Sequence, residues 1–237
     1  MNKLKTILVS SAIVAMSFSS IANSIEFRAG LTANATAYYG NVEETLKDNG
    51  RKRSDEALAA FNYASGFAEV GFGEVYGITF GAEYVPDAIS LTSATRVLDC
   101  STATSDGVAC VTGQDTKGGI QSIQADVTDL VTGYVAIPLM STGLSVKIGL
   151  MQGSLETKET LATGSSYKDE DLAGKTVGMF YDGDLGEHAF YRVEAAYIEF
   201  DDISATGSEV GGTAGTYNKI VAELGGVKAA LSIGARF

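Results

Sequence analysis

A single histidine, two cysteines and a few clustered carboxylates are the side chains of this 237-residue chain whose types and spacing suit chemistry. His188 could act as a general base only if the fold brought a nucleophile within hydrogen-bond reach. It follows Glu187 in a Gly- and Asp-rich turn, no serine stands at a recognisable catalytic spacing, and the simpler reading is a turn-flanking imidazole with no catalytic part. Asp182, Asp184 and Glu187 have the look of a cation loop, but the spacing of an EF-hand, with its glutamate at the twelfth place, is missing. An acidic hairpin turn remains. Gly71, Gly73 and Gly77 fail the dinucleotide-binding spacing, so no phosphate cradle is formed there. The basic cluster Lys47, Arg51, Lys52 and Arg53 reads as a solvated loop face or as a contact for anionic lipid headgroups. No catalytic, cofactor-binding or metal site is assigned, no cofactor is implied, and the chain is not expected to be an enzyme.

The elements that hold these residues follow from composition and periodicity. With 17 Lys+Arg against 29 Asp+Glu the formal charge is −12, and the electropositive footprint that nucleic acid requires is missing. Apolar residues at 45%, 28 Gly and only 2 Pro exclude a disordered or collagen-like chain and favour β structure. Lys3 and Lys5 precede a mostly apolar run from Ile7 to Phe18, followed by the small residues Ser20 and Ala22. That is the pattern of a cleaved signal peptide covering 1–22, with a cut after Ser24 as second choice. The run is shorter than the roughly 20 residues of a spanning helix. Removing residues 1–22 from the 237 leaves 215 for the domain at 23–237 and, with two lysines gone, moves the formal charge from −12 to −14. Export into an oxidising compartment lets Cys100 and Cys110 form a disulfide on a polar loop. Closing that short loop is worth about 2.5 to 3 kcal/mol in the chain-entropy model.

From Ile25 to Tyr39 apolar residues alternate with Glu26, Arg28, Gly30, Thr32, Asn34 and Thr36, the period of a long half-buried strand. Repeats of the pattern predict eight strands near 25–40, 58–72, 75–86, 120–138, 144–156, 174–182, 188–200 and 216–237. Short turns alternate with long polar connections at 41–57, 87–119, 157–173 and 201–215. All the long loops therefore fall at one end, which is the plan of an antiparallel up-and-down transmembrane barrel with short periplasmic turns and long extracellular loops. One phase of the strands is almost purely apolar. It places Tyr76, Tyr181, Tyr191 and Phe237 at the turn end and Tyr39, Tyr84, Tyr197 and Tyr217 at the other, as two aromatic girdles.

The signal peptide, the alternating strands and a last strand with apolar residues at every second position up to a terminal Phe together resemble a bacterial outer-membrane β-barrel. The resemblance is nearest to the small eight-stranded OmpA-like and opacity-type barrels. Segments such as GLSVKIGLMQ, ETLATGSSY and DGDLGEHAFYRVEAAYIEFDD are also similar to a group of uncharacterised outer-membrane-type proteins of marine bacteria and their viruses, which brings no known activity. The resemblance implies location in the cell outer membrane among lipid and lipopolysaccharide. It further implies that Ala229, Leu231, Ile233, Ala235 and Phe237 are the signal read by the barrel-assembly machinery. Divalent ions linking Asp169, Glu170 and Asp171 to lipopolysaccharide fit the same setting.

The opposite phase sends Arg28, Glu83, Lys147, Arg192, Glu194 and Arg236 into the lumen with Glu26, and adds Glu69 and Asp126. Eight strands leave room only for side chains, so these charges read as a mutually paired plug or, alternatively, as the eyelet of a narrow porin-like channel. A wide porin needs about 16 strands, for which 215 residues supply about 13 each, too few. A soluble lipocalin-like periplasmic barrel is the second alternative, and it would carry its charges outside. The expected role is structural or a surface interaction through the long loops, with the loop partner unnamed by the sequence.

Overall fold

The computed structural model describes residues 25–45, 52–72, 77–91, 94–97, 120–139, 142–160, 166–211 and 216–237. Their strands are β1 (Ile25–Thr45), β2 (Lys52–Phe72), β3 (Ile78–Tyr84), β4 (Ile89–Ser90), β5 (Ala94–Val97), β6 (Ile120–Pro138), β7 (Leu144–Thr160), β8 (Glu170–Asp184), β9 (Ala189–Phe200), β10 (Ile203–Gly211) and β11 (Thr216–Arg236). Eight of them, β1, β2, β3, β6, β7, β8, β9 and β11, pair edge to edge, and β11 closes the ring on β1. β4 and β5 prolong the β3 side of the wall along β6, and β10 prolongs β9 along β11. The segment predicted to be a signal peptide, the two cysteines, Tyr76, and Lys47 and Arg51 of the basic cluster lie outside the described residues.

Closure gives every strand in the ring a paired neighbour on both sides, which is what lipid demands of a spanning sheet. The β1–β11 register runs from Arg28↔Arg236 to Thr45↔Lys219 without a shift, so β11 keeps one phase past Gly225–Gly226. At the turn end Leu139 donates its N–H to the carbonyl of Leu144 at 2.7 Å, and Gly143 takes φ +77°, a conformation that other residues adopt only with strain. Phe27 and Phe237 exchange backbone hydrogen bonds of 2.9 and 3.2 Å there, tying the last residue into the wall.

Several strands overrun the bounds that alternation sets. β1 and β2 pair as far as Thr45↔Lys52, β8 begins at Glu170, and β10 occupies what reads as a loop. Alternation reports a contrast between two environments, and above the bilayer both faces of a hairpin meet water while the backbone ladder continues. β3 is instead shorter than predicted. Facing its end, the β6–β7 register shifts between Thr128 and Val131, and Asp129 stands at φ +52°. This bulge flips the parity of the upper part of β6, so that Val127, of the outward phase by alternation, is buried in the interior. Asp126, of opposite parity, is covered by Lys158 and Gln124 and belongs to the rim, outside the lumen.

The outer surface carries Leu31, Phe80, Ile148, Leu150, Val193, Leu231 and Ile233, with Leu150 75% exposed. Their strand neighbours of opposite parity are buried, Lys147 and Arg192 among them. An apolar exterior around a charged interior is the reverse of a lipocalin and is what a hydrocarbon solvent selects. Exposed Tyr39, Tyr84 and Tyr197 mark one girdle, and Tyr181 and Phe237 the other.

Candidate functional site

Inside the ring the side chains form three tiers. At the turn end Arg28 donates to Glu26 at 2.6 Å and to Asp182 at 3.1 Å, while Arg236 reaches Asp184 at 2.7 Å. Deeper, the Arg192 guanidinium lies between two carboxylates, at 2.5 and 3.1 Å from Glu69 and at 2.7 and 2.9 Å from Asp182. The Phe180 ring lies 3.8 Å from its Cζ, and Tyr134 donates its hydroxyl to Glu69 at 2.6 Å. Two-sided pairing over an aromatic face is how a planar guanidinium tolerates burial.

The middle tier is a square of alternating charges. Lys147 Nζ lies 3.1 Å from both Glu83 and Glu194, and Lys228 Nζ lies 3.3 Å from Glu83 and 2.9 Å from Glu194. Two ammoniums and two carboxylates cancel, which limits the desolvation cost of putting them where no residue of the four is more than 8% exposed. Ser65 donates to Glu83 at 2.7 Å and accepts from the amide of Asn34 at 2.8 Å. Lys147 also stands 4.2 Å from the centre of the Tyr134 ring, which links the square to the tier below.

Above the square the lumen is apolar. Tyr38, Leu130, Met151, Leu172, Ile198 and Phe200 form one buried cluster with Val85, Ile89, Val127 and Ile203 from the rim. The Tyr38 ring contacts Phe61 and Phe200 at centroid distances of 6.0 and 6.2 Å.

The structure thus brings Arg28, Glu83, Lys147, Arg192, Glu194 and Arg236 into one interior, with Glu26 and Glu69. Sequence reasoning missed Lys228, Asp182 and Tyr134. Lys228 shares its parity with Arg236 on β11, and Asp182 shares the parity of Thr176 and Phe180 on β8, so the phase rule contains both. Asp182 was hidden by its resemblance to a turn residue; the turn itself begins at Leu185, whose N–H bonds the Ala189 carbonyl at 2.9 Å. His188 is exposed in that turn, and its carbonyl accepts the N–H of Arg236. Ala229, Leu231, Ile233 and Ala235 on β11 pair with β1 and β9 along the lipid face. Among the described residues no group of three or more His, Cys, Asp or Glu side chains is arranged to hold a metal ion.

A closed eight-stranded ring, an apolar girdled exterior and a filled polar lumen define an outer-membrane β-barrel. A solved structure agrees in fold: the outer-membrane protein OprG of Pseudomonas aeruginosa superposes with a TM-score of 0.53 at 13% identity, covering 90% of this chain and 96% of that one. The outer-membrane protease OmpT of Escherichia coli gives 0.47 at 10% identity over 91% and 97% of the two chains. The outer-membrane protein AlkL, solved in lipid bilayers, gives 0.48 at 12% identity over 91% of each. No family model and no curated protein matches the sequence.

Proposed function

We propose that this barrel resides in the bacterial outer membrane as a closed, non-enzymatic structural element, and that its biological contacts are made by the strands and loops that project beyond the outer girdle. The observation that carries the reading is the tiered interior. Lys147 and Arg192 are each 2% exposed, and the cations of the lower tiers are held by carboxylates on other strands, which supports a lumen closed to water among the described residues. In this account residues 1–22 direct export and are removed, the terminal strand ending at Phe237 is presented to the barrel-assembly machinery, and the exterior contacts lipid and lipopolysaccharide. The same account has Cys100 and Cys110 form the disulfide that export permits, so neither is expected to be labelled by an alkylating reagent before reduction. Planar-bilayer recording of the purified protein tests the closed state: brief or no openings are expected, and a large steady conductance overturns it. Fractionation with heat-modified gel mobility tests the location independently.

A second reading, a narrow channel for small solutes or ions, draws on one feature. Thr32, Asn34, Thr36, Ser65 and Ser232 line one side of the lumen with small polar groups, and Asn34 Oδ1 is buried with no hydrogen-bond partner. A water at that oxygen would begin a wet seam beside the charge square.

A further inference from the structure

Near the outer girdle the ladder on β11 is interrupted where its partner changes from β9 to β10. β11 pairs with β9 up to Gly225↔Glu199 and with β10 from Ala222↔Ile203, so Phe200, Asp201 and Asp202 stand opposite only Glu223 and Leu224. Asp201 donates its N–H to the carbonyl of Ala173 on β8 at 2.9 Å, so the chain stays tied to β8 through this point. The interruption opens into a groove of about 660 Å³ on the outer face, crossing β2, β1, β11 and β9. Phe200 and Leu224, which belong to the interior apolar cluster, also line this groove.

Its floor is apolar and aromatic. Leu58 is 81% exposed at one side, and the hydroxyls of Tyr39 and Tyr197 meet at 2.5 Å over Gly225, where a Cβ would lie 2.6 Å from the Tyr39 hydroxyl. Gly225 therefore creates the seat for the tyrosine pair. The margins carry Glu56, Glu199, Asp202 and Glu223, and among the described residues no Lys or Arg lines the groove. Lys175 meets Glu199 at 3.0 Å from outside the lining, and nothing of opposite charge is set against the other three within it.

We propose that this groove binds an amphiphile with an ammonium head and an apolar body, the body lying on Tyr39, Tyr197 and Leu58 and the head among the carboxylates. The volume is that of a small-molecule site and far larger than one ion needs. The four carboxylates disfavour amphiphiles of net negative charge, and the tyrosine faces add cation–π attraction for an ammonium. The site is on the outer wall, so it is independent of whether the lumen conducts.

The test uses the whole protein labelled with 3-fluorotyrosine in phosphatidylglycerol nanodiscs, whose lipids carry no ammonium group, with Tyr39→Phe and Tyr197→Phe assigning the two ¹⁹F signals. Dodecylammonium, dodecyl phosphate and dodecyl maltoside are added at equal mole fraction in the bilayer. Dodecylammonium is expected to shift both signals saturably at about tenfold lower mole fraction than the other two, a preference equivalent to about 1.4 kcal/mol. The double variant Glu199→Gln with Glu223→Gln is expected to lose that preference while keeping its heat-modified mobility. Equal responses to all three amphiphiles, or a cation preference unchanged in the double variant, would overturn the proposal.

Discussion

The same strands build a charged lumen at the height of Arg192 and an apolar one at the height of Ile198, and the two halves differ in their access to water. Exposure of the basic side chains falls from 26% at Arg236 and 21% at Arg28 to 2% at Arg192 and Lys147. Beyond Lys147 the Tyr38–Leu130–Met151–Leu172–Phe200 layer begins. The interior is thus an ionic ladder entered from the turn end and sealed at the loop end by apolar side chains. Sealing matters to the ladder itself. Excluding water lowers the local dielectric, so each satisfied pair is stronger and each broken pair more costly.

The sharpest way to break the comparison is to remove a charge from the ladder and a side chain of equal depth from the seal. Arg192→Ala strands Glu69 and Asp182 without their shared partner and is expected to destabilise by about 3 to 5 kcal/mol, the usual cost of breaking a buried pair. In planar bilayers it should also raise the frequency of small openings, because it vacates the space between Glu69 and Asp182 inside the lumen. Unfolding in urea from bilayer vesicles reads the first effect. A wild-type-like stability for this variant would mean that the ladder is solvated. Replacing Lys147 and Glu83 together by Met and Gln should be far milder than either single change, since no charge is then left alone.

Leu172→Ala, in the seal, comes next. Leu172 has no exposed surface, and truncating a buried leucine costs about 2 to 4 kcal/mol through lost transfer energy and the cavity left behind. Its signature should differ from that of Arg192→Ala: conductance stays at the wild-type level, because the charge square below is intact. Openings as frequent as those of Arg192→Ala would move the gate from the ladder to the seal.

These two regions were unequally legible in the sequence. Parity along β9 separates Arg192 and Glu194 from Val193 and Ala195 without any structure, and the ladder follows from carrying that parity around a closed ring. The seal was harder. On β9 the inward residues pass from Arg192 and Glu194 through Ala196 to Ile198 and Phe200, while the outward ones pass from Val193 to Tyr197 and Glu199, so the apolar face changes sides within one strand. Alternation gives a phase but no height, and a reversal of contrast looks like a strand end rather than a rim. The bulge at Asp129 hid Val127 for a related reason, since one inserted residue inverts every later assignment on its strand. The groove between β9 and β11 needed the register itself, because nothing in the residues of either strand reports where its partner changes.

The exterior supplies the third contrast. Phe80 is 49% exposed on the lipid face and stacks edge-on with Phe72 at 5.9 Å, while its neighbour Thr79 is 5% exposed and inward. Phe80→Arg is expected to cost about 2 to 4 kcal/mol near the bilayer midplane. Asp169→Arg, on the exposed segment before β8, loses one exposed hydrogen bond from the Thr157 N–H and should cost less than about 1 kcal/mol. Equal stability of the two variants in vesicles would remove Phe80 from the hydrocarbon. Retention of the gap in vesicles but not in a polymer-free aqueous refolding trial would assign it to lipid alone.

The smallest effect is at the rim, where an ion pair outside the membrane can be compared with the buried ones. Lys158 and Gln124 donate to Asp126, and these hydrogen bonds, the one from Lys158 first, hold its carboxyl below the ordinary value of 3.8. A depressed folded value means that the carboxylate contributes stability fully above pH 3.8 and loses it as pH falls below 3.8 through the folded value. Lys158 is shifted the other way, above its ordinary 10.5, chiefly by the same hydrogen bond, so its share is present below pH 10.5 and disappears as pH rises past it. Between those limits the pair should leave stability flat with pH. Carbon-13 NMR titration of the Asp126 carboxyl should therefore show a midpoint under 3.8 that moves up toward 3.8 in Lys158→Met. Since Lys158 is 61% exposed, salt should also weaken the pair, which it should not do to Arg192 and Glu69. A midpoint unchanged by the lysine substitution would assign the shift to Gln124 and Ser90 instead, leaving the rim of β4 and β6 held by neutral donors alone.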